Sequence, residues 1–207
     1  MKLKQPDIKG FNPLDIINEK SKPTPMMKQY LEVKSRHKEY LLFYRMGDFY
    51  ELFFDDAKIA SSALGIALTK RGKIEDKEIP MCGVPAHSSQ TYLTRLIKQG
   101  FKVAVAEQLE DQNIDPQIKK NKKIFKRDVV RIITPGTIID ETLLESKSNN
   151  HLLSISFFAG DFSISWTDMT TGTLKLQKIN GVNSIDELFE AICRIEPEEI
   201  IISDRFE

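Results

Sequence analysis

Three runs of seven residues, Leu152–Phe158, Phe162–Asp168 and Thr173–Ile179, are separated only by Ala159-Gly160-Asp161 and by a stretch holding Thr170-Thr171-Gly172. Runs this short, joined this tightly, must be antiparallel neighbours, because a parallel crossover needs a dozen or more residues. That part of the chain is committed to a meander. Ile185–Ile195 then carries helical periodicity, and Ile200–Ile202 is a short apolar run with strand composition. The order strand-strand-strand-helix-strand opens a small sheet whose usual completion lies beyond residue 207, so the chain is expected to be a piece of a longer protein.

The preceding residues mix the two periodicities. Residues 1–23 hold Lys, Asp, Asn and Pro without a pattern and read as a flexible arm. Thr24-Pro25 has the form of an N-cap followed by a first-turn proline, and Met27, Tyr30, Leu31 and Lys34 continue a helix toward His37. Leu41–Met46 is a buried strand by length and composition, ended by Gly47. Asp48 and Glu51 are spaced as a capping box, and Tyr50, Phe53, Ala57, Ala60 and Leu64 follow at helical spacing, which predicts a helix from Asp48 to Gly65. Ile66–Thr69 is expected as a strand, Lys70–Glu78 as a charged hairpin-like loop, Ile79–Pro85 as an irregular apolar segment, and Ser88 or Ser89 as the cap of a helix closed by Gly100. Strands at Phe101–Gln108 and Val129–Ile133 flank a loop over 110–127, and Thr134–Thr137 is a turn. The fold class is α/β in the mixed α+β sense, a mixed sheet flanked by helices over 24–140, with the start of a second domain over 150–207.

Charge divides at nearly the same place. Residues 1–136 hold 25 Lys and Arg against 17 Asp and Glu, whereas residues 137–207 hold 5 against 13. The first part can neutralise phosphates and the second is repelled by them, so any nucleic acid belongs to the first. No apolar stretch approaches the roughly 18 residues of a membrane span, and the expected location is the cytoplasm. Cys82 and Cys193 stand far apart, and His37, His87 and His151 lack ligand spacing, which argues against a disulfide or a metal centre.

Catalytic signatures are missing. No GxxxxGK[ST], GxGxxG or GxSxG occurs. Cys82 reads as a buried structural cysteine rather than a nucleophile served by His87. The second segment's strand order suits a ribonuclease H-like nuclease, but its first strand offers Ser154 and Ser156 where two-metal chemistry needs a carboxylate, and Asp161 and Asp168 fall at strand ends. The chain is expected to be catalytically silent.

Binding features are richer. Six of the nine residues from Lys119 to Arg127 are basic, among them Lys119, Lys120, Lys122 and Lys123, and Lys70-Arg71-Gly72-Lys73 is a second cluster. Both are phosphate-contact candidates, or ordinary solvated surface. Within Gly47–Phe53, Phe49 is either a wedge for unstacking base pairs in a minor groove or part of a helix's apolar stripe, and Glu51 is either a base contact or a helix-capping group.

Four ordered segments bear on that choice: Arg45–Ala57, Leu68–Gly72, Ile79–His87 and Arg131–Thr137. Together they resemble the amino-terminal end of the bacterial MutS family of DNA mismatch-recognition proteins, and the resemblance runs from about Thr24 to the last residue. It implies a first domain that binds mismatched double-stranded DNA and the start of a ribonuclease H-like connector without nuclease activity. In that family lever, clamp and ATPase domains follow, so ATP and Mg²⁺ belong to the parent protein and no cofactor is expected in this chain. The family's Phe-X-Glu motif falls on Phe49, Tyr50 and Glu51, the phenylalanine stacking on a mispaired base and the glutamate hydrogen-bonding it. Arg71 and Met81 fall on segments that lie near DNA, with Lys70 beside them. A homodimer and a downstream MutL-type partner are implied for the full-length protein. The rival reading is a protein-interaction module whose acidic second part docks partners while DNA contact is incidental.

Overall fold

The structure is a computed structural model that describes residues 23–74, 77–109, 125–138, 150–181 and 183–203. Two compact units divide at residues 133 and 134. The proposed arm, most of the 110–127 loop and the segment 139–149 lie outside the described residues.

The first unit is a six-stranded mixed sheet in the order β3-β4-β2-β1-β5-β6. Its opening helix α1 (Pro25–Arg36) starts as expected: the Thr24 Oγ1 accepts from the Met27 N–H at 3.3 Å, and Pro25 occupies the first turn. Strand β1 (Leu41–Met46) is also as expected. It pairs in parallel with β5 (Val103–Gln108) and antiparallel with β2 (Phe49–Phe53). Beyond β5 lies β6 (Arg127–Ile133), and beyond β2 lie β4 (Lys77–Pro85) and β3 (Thr69–Ile74). Helix α2 (Phe54–Leu64) packs against β4 and β2, and α3 (Ser89–Lys98) against β4 and β5.

Three expectations are corrected here. The helix does not begin at Asp48. Gly47, at φ +61°, and Asp48 form a two-residue hairpin loop, Met46 pairs with Phe49, and the helix waits until Phe54. A tight loop that lets two apolar runs pair outweighs a capping-box spacing, and glycine is the residue that accepts a positive φ at no steric cost. Ile66–Leu68 is not strand; β3 begins at Thr69, and the expected hairpin over Lys70–Glu78 is present, but most of its residues belong to the paired strands β3 and β4 rather than to a loop. The Ile79–Pro85 segment is a regular strand. Its Pro80 stands opposite Lys70, at the edge of the register shift between Lys70 and Lys73, an irregularity of the kind at which a sheet tolerates proline.

One face of this sheet holds Leu42, Tyr44, Phe53, Ala104 and Ala106 under Met27, Tyr30 and Leu31 of α1. Within this apolar layer the Lys34 Nζ meets the Asp56 carboxylate at 2.9 Å and donates to the Tyr40 carbonyl at 2.6 Å, while Asp56 Oδ2 accepts from the Leu42 N–H at 3.0 Å. Burial pushes the Asp56 carboxyl up, and Lys34 opposes that. Both charges are satisfied, which is the condition for burying them.

The second unit is a four-stranded sheet in the order β10-β7-β8-β9, with β7 (His151–Phe158), β8 (Asp161–Asp168) and β9 (Thr173–Ile179) as the meander. Helix α4 (Ser184–Ile195) seats Leu188, Ala191 and Ile195 on Leu153, Ile155, Ile164 and Ile179, and β10 (Glu199–Ile202) returns parallel to β7. These elements match the expected ones to within two residues at each end. Asp161 pairs with Lys178 at 3.0 Å, and Asp168 Oδ1 accepts from the Thr170 N–H and hydroxyl at 2.9 and 2.7 Å, closing the β8–β9 turn. The Thr134–Thr137 turn contains a 3₁₀ helix, Pro135–Thr137, and rests on this sheet at Gly136, where an added Cβ would lie 2.6 Å from Glu199 Cβ and 2.9 Å from Leu152 Cδ1.

Candidate nucleic-acid interface

The β1–β2 hairpin ends in a tip held from three sides. Met46 pairs with Phe49, the Arg45 Nε–H donates to the Gly47 carbonyl at 2.6 Å, and the Ala86 N–H donates to the Asp48 carbonyl at 2.8 Å. Phe49 stands at this tip opposite Pro85 and is 47% exposed. That exposure excludes the core role open to it on a helix. An exposed aromatic ring is by itself ordinary; what sets Phe49 apart is its place at a hairpin tip beside a buried carboxylate.

Strand geometry places Glu51 on the same face as Phe49, one pleat further in. Gly83 lies opposite Glu51, within van der Waals reach of both side chains: a Cβ there would meet Phe49 Cδ1 at 3.8 Å and Glu51 Cγ at 3.9 Å, ordinary contacts. Tyr50 points to the opposite face, buried, with its hydroxyl bonded to Glu107 and the Arg45 guanidinium 5.2 Å from its ring centre. Of Phe49-Tyr50-Glu51, the middle residue is anchored on one face, while on the other Phe49 is exposed and Glu51 is buried.

Glu51 is nearly buried, with its side chain 10% exposed. Its Oε1 is paired with the Arg71 guanidinium, which reaches from β3, and its Oε2 is buried with no partner among the described residues. Burial raises the Glu51 carboxyl above the usual range, opposed by Arg71 and, from further away, Arg127. It makes no helix-capping contact, which corrects the capping-box alternative.

The remaining candidates divide. Arg71 joins the Phe49–Glu51 face directly. Met81 pairs with Phe53 and Thr69 on the same strand as Gly83, but it is half-buried and packs against the core. Lys70 is exposed and paired with Glu78. Lys119, Lys120, Lys122 and Lys123 lie outside the described residues. Arg127, counted with that basic loop in the sequence, is a strand residue: it is buried, donates from Nε to the Arg45 carbonyl at 2.6 Å and stacks 5.4 Å from the Tyr44 ring centre. Burial pushes the Tyr44 hydroxyl up to about 12, and that hydroxyl donates to Gln29 at 2.6 Å. Sequence reasoning missed Arg45, Arg127 and the Arg71–Glu51 pair; the one available signal was Gly47-Asp48 between two apolar runs, a hairpin loop with glycine first.

Comparison with known proteins identifies the family. The family model described as MutS domain I matches residues 24–142. The chain is 51% identical over 187 residues to the DNA mismatch repair protein MutS of Wolbachia pipientis wMel, covering 90% of this chain and 21% of the relative. It is 48% identical over 189 residues to MutS of Bradyrhizobium sp. (strain ORS 278) and 47% identical over 189 residues to MutS of Bartonella tribocorum, in each case covering 89% of this chain and 20% of the relative. The chain thus spans about a fifth of the length of these relatives. With a family model matched across more than half of its residues and relatives identical at about every second position, the chain belongs to the MutS family.

Proposed function

We propose that the first unit recognises mismatched or unpaired bases in double-stranded DNA, with Phe49 inserted from the minor groove as a wedge and Glu51 bonded to the displaced base. The observation that carries this reading is the pairing of an exposed aromatic ring with a buried, half-unpartnered carboxylate on one face of a rigid hairpin. The physics is a measurement of deformability. Unstacking a base step costs a few kcal/mol, and a mismatch lowers that cost because its pairing and stacking are already weak. One ring therefore tests every step it meets without reading sequence. Glu51 then rewards only a base that can turn a hydrogen-bonding edge toward Oε2, since an unmet buried oxygen is costly.

On this reading the chain contributes recognition to DNA mismatch repair and no chemistry of its own. ATP and Mg²⁺ serve an ATPase portion of the full-length protein, which works in the cytoplasm as a homodimer with a MutL-type partner. Arg71, Lys70 and the lysines at 119, 120, 122 and 123 supply phosphate contacts, and Met81 lies beside the groove.

The test is an anisotropy titration of the full-length protein carrying this chain against one G·T duplex and its matched counterpart. Tighter binding to the G·T duplex that disappears in Phe49→Ala supports the reading; equal binding to both duplexes by the unaltered protein overturns it.

A second reading has an observation of its own. In the second unit Phe158, Leu174 and Leu176 are exposed on the sheet face turned away from α4, apolar side chains of the kind protein partners cover. A protein-interaction role for that unit predicts that polar substitutions there leave duplex preference intact.

A further inference from the structure

Resting on the mismatch reading above, we propose that Arg71 is a positioning residue that decides which oxygen of Glu51 a DNA base can meet: its guanidinium holds Oε1 and leaves Oε2, buried and unpartnered among the described residues, as the acceptor that insertion at the hairpin must uncover. Three observations on the sheet converge on this. Arg71 and Glu51 are ion-paired through one carboxylate oxygen only, although guanidinium and carboxylate commonly pair through two. The other oxygen is buried without a partner among the described residues, an arrangement that costs stability unless something arrives to complete it. And Arg71 lies within the β3–β4 register shift between Lys70 and Lys73, beside Gly72 at φ +75°, so the irregular stretch of β3 carries the residue that crosses to Glu51.

The arrangement also changes the electrostatics of approach. An unpaired Glu51 would present a full negative charge to the phosphates around a minor groove. Paired, it presents a neutral unit with one lone-pair-bearing edge. The charged and titratable groups facing it are Arg71 on β3, Arg127 on β6 and Tyr44, its pairing partner on β1. Of these, Arg71 alone touches the carboxylate and is itself partly exposed, so it is the one that can fix the carboxylate's orientation from the DNA side. Arg71 thereby acts through Glu51, beyond any phosphate contact of its own. A phosphate contact alone strengthens binding to all duplexes alike, whereas a positioning role changes the ratio between duplexes.

Two measurements test it. The first needs no DNA: the carboxyl carbon of Glu51 is titrated by NMR in the 207-residue chain, unaltered and as Arg71→Gln and Arg71→Lys. The midpoint is expected to move upward in Arg71→Gln and to be largely restored by Arg71→Lys, which keeps the charge; an unmoved midpoint in Arg71→Gln overturns the proposal. The second uses the full-length protein on G·T and matched duplexes. Arg71→Gln is expected to lower the affinity ratio by roughly tenfold, the effect of losing one charge-assisted hydrogen bond's geometry, and to leave the ratio unchanged when introduced into Glu51→Gln. Equal weakening on both duplexes, or the same ratio change in both backgrounds, overturns it and leaves Arg71 as a phosphate contact. If the unaltered protein shows no preference at all, the mismatch reading fails, and the titration still decides the role of Arg71.

Discussion

Arg71 reaches Glu51 across an intervening strand: β4 lies between β3 and β2, and the guanidinium spans it to take one carboxylate oxygen while the other stays buried and unpartnered among the described residues. Twenty positions separate the two residues in sequence, and only the strand order brings them together.

Phe49 and Glu51 are expected to fail in different ways when altered in the full-length protein. Phe49→Ala removes a stacking surface worth about 1–3 kcal/mol and should abolish G·T preference by weakening mismatch binding. Its stability should move by no more than about 0.5 kcal/mol, because the ring is solvent-facing. Glu51→Gln frees Arg71 and deletes a negative charge, so matched DNA should bind more tightly and the preference should fall from the other side. Anisotropy titrations on both duplexes, with melting curves of each variant, check the pair.

Charge reversal at Lys119, Lys120, Lys122 and Lys123 should flatten the plot of log K against log salt, by about 0.9 for each phosphate that is no longer neutralised. A series of titrations between low and moderate salt measures it. An unchanged slope makes the segment ordinary solvated surface.

Breaking the Lys34–Asp56 pair from one side should destabilise the first unit by about 3–5 kcal/mol, because the surviving charge stays buried. Lys34→Met and Asp56→Ala should each show this in urea unfolding. The double replacement Lys34→Met with Asp56→Ala should cost clearly less than the sum of the two single changes, the mark of a coupled pair.

Acid and base should act on two carboxylates with opposite sign. The Thr170 hydroxyl and N–H hold Asp168 below the ordinary carboxylate range, so its contribution is present above the unfolded value of 3.8 and is lost as pH falls through the folded value. Burial raises Glu51 above 4.5, so its contribution is present below that value and is lost as pH rises through the folded one. Unfolding free energies from pH 3 to 8 should therefore lose an acid-side decline in Asp168→Asn and gain stability on the neutral side in Glu51→Gln.

The second unit was the most legible part of the sequence, since period-two runs between short turns admit almost no other fold, and β7, β8, β9, α4 and β10 lie where the pattern put them. The Phe49–Glu51 stretch misled at the level of structure. Its apolar positions satisfy helical spacing, while the determinant was Gly47, whose positive φ lets the chain reverse within two residues. The correct face for Phe49 and Glu51 follows at once from a strand and not from a helix. The Arg71–Glu51 pair was beyond reach, because it depends on a register shift in β3 that no local pattern marks.

Gly136 bears on how the chain can be taken apart. The turn it belongs to follows β6 without a break, yet its backbone is pressed against Glu199 and Leu152 of the second sheet. A cut made after residue 140, where composition suggests one, strands that turn on the wrong piece and bares the surface it covers. A cut after Ile133 keeps turn and sheet together. For anyone wishing to study the hairpin bearing Phe49 in isolation, the dividing line runs through the middle of Arg131–Thr137, a single motif in sequence and two neighbourhoods in space.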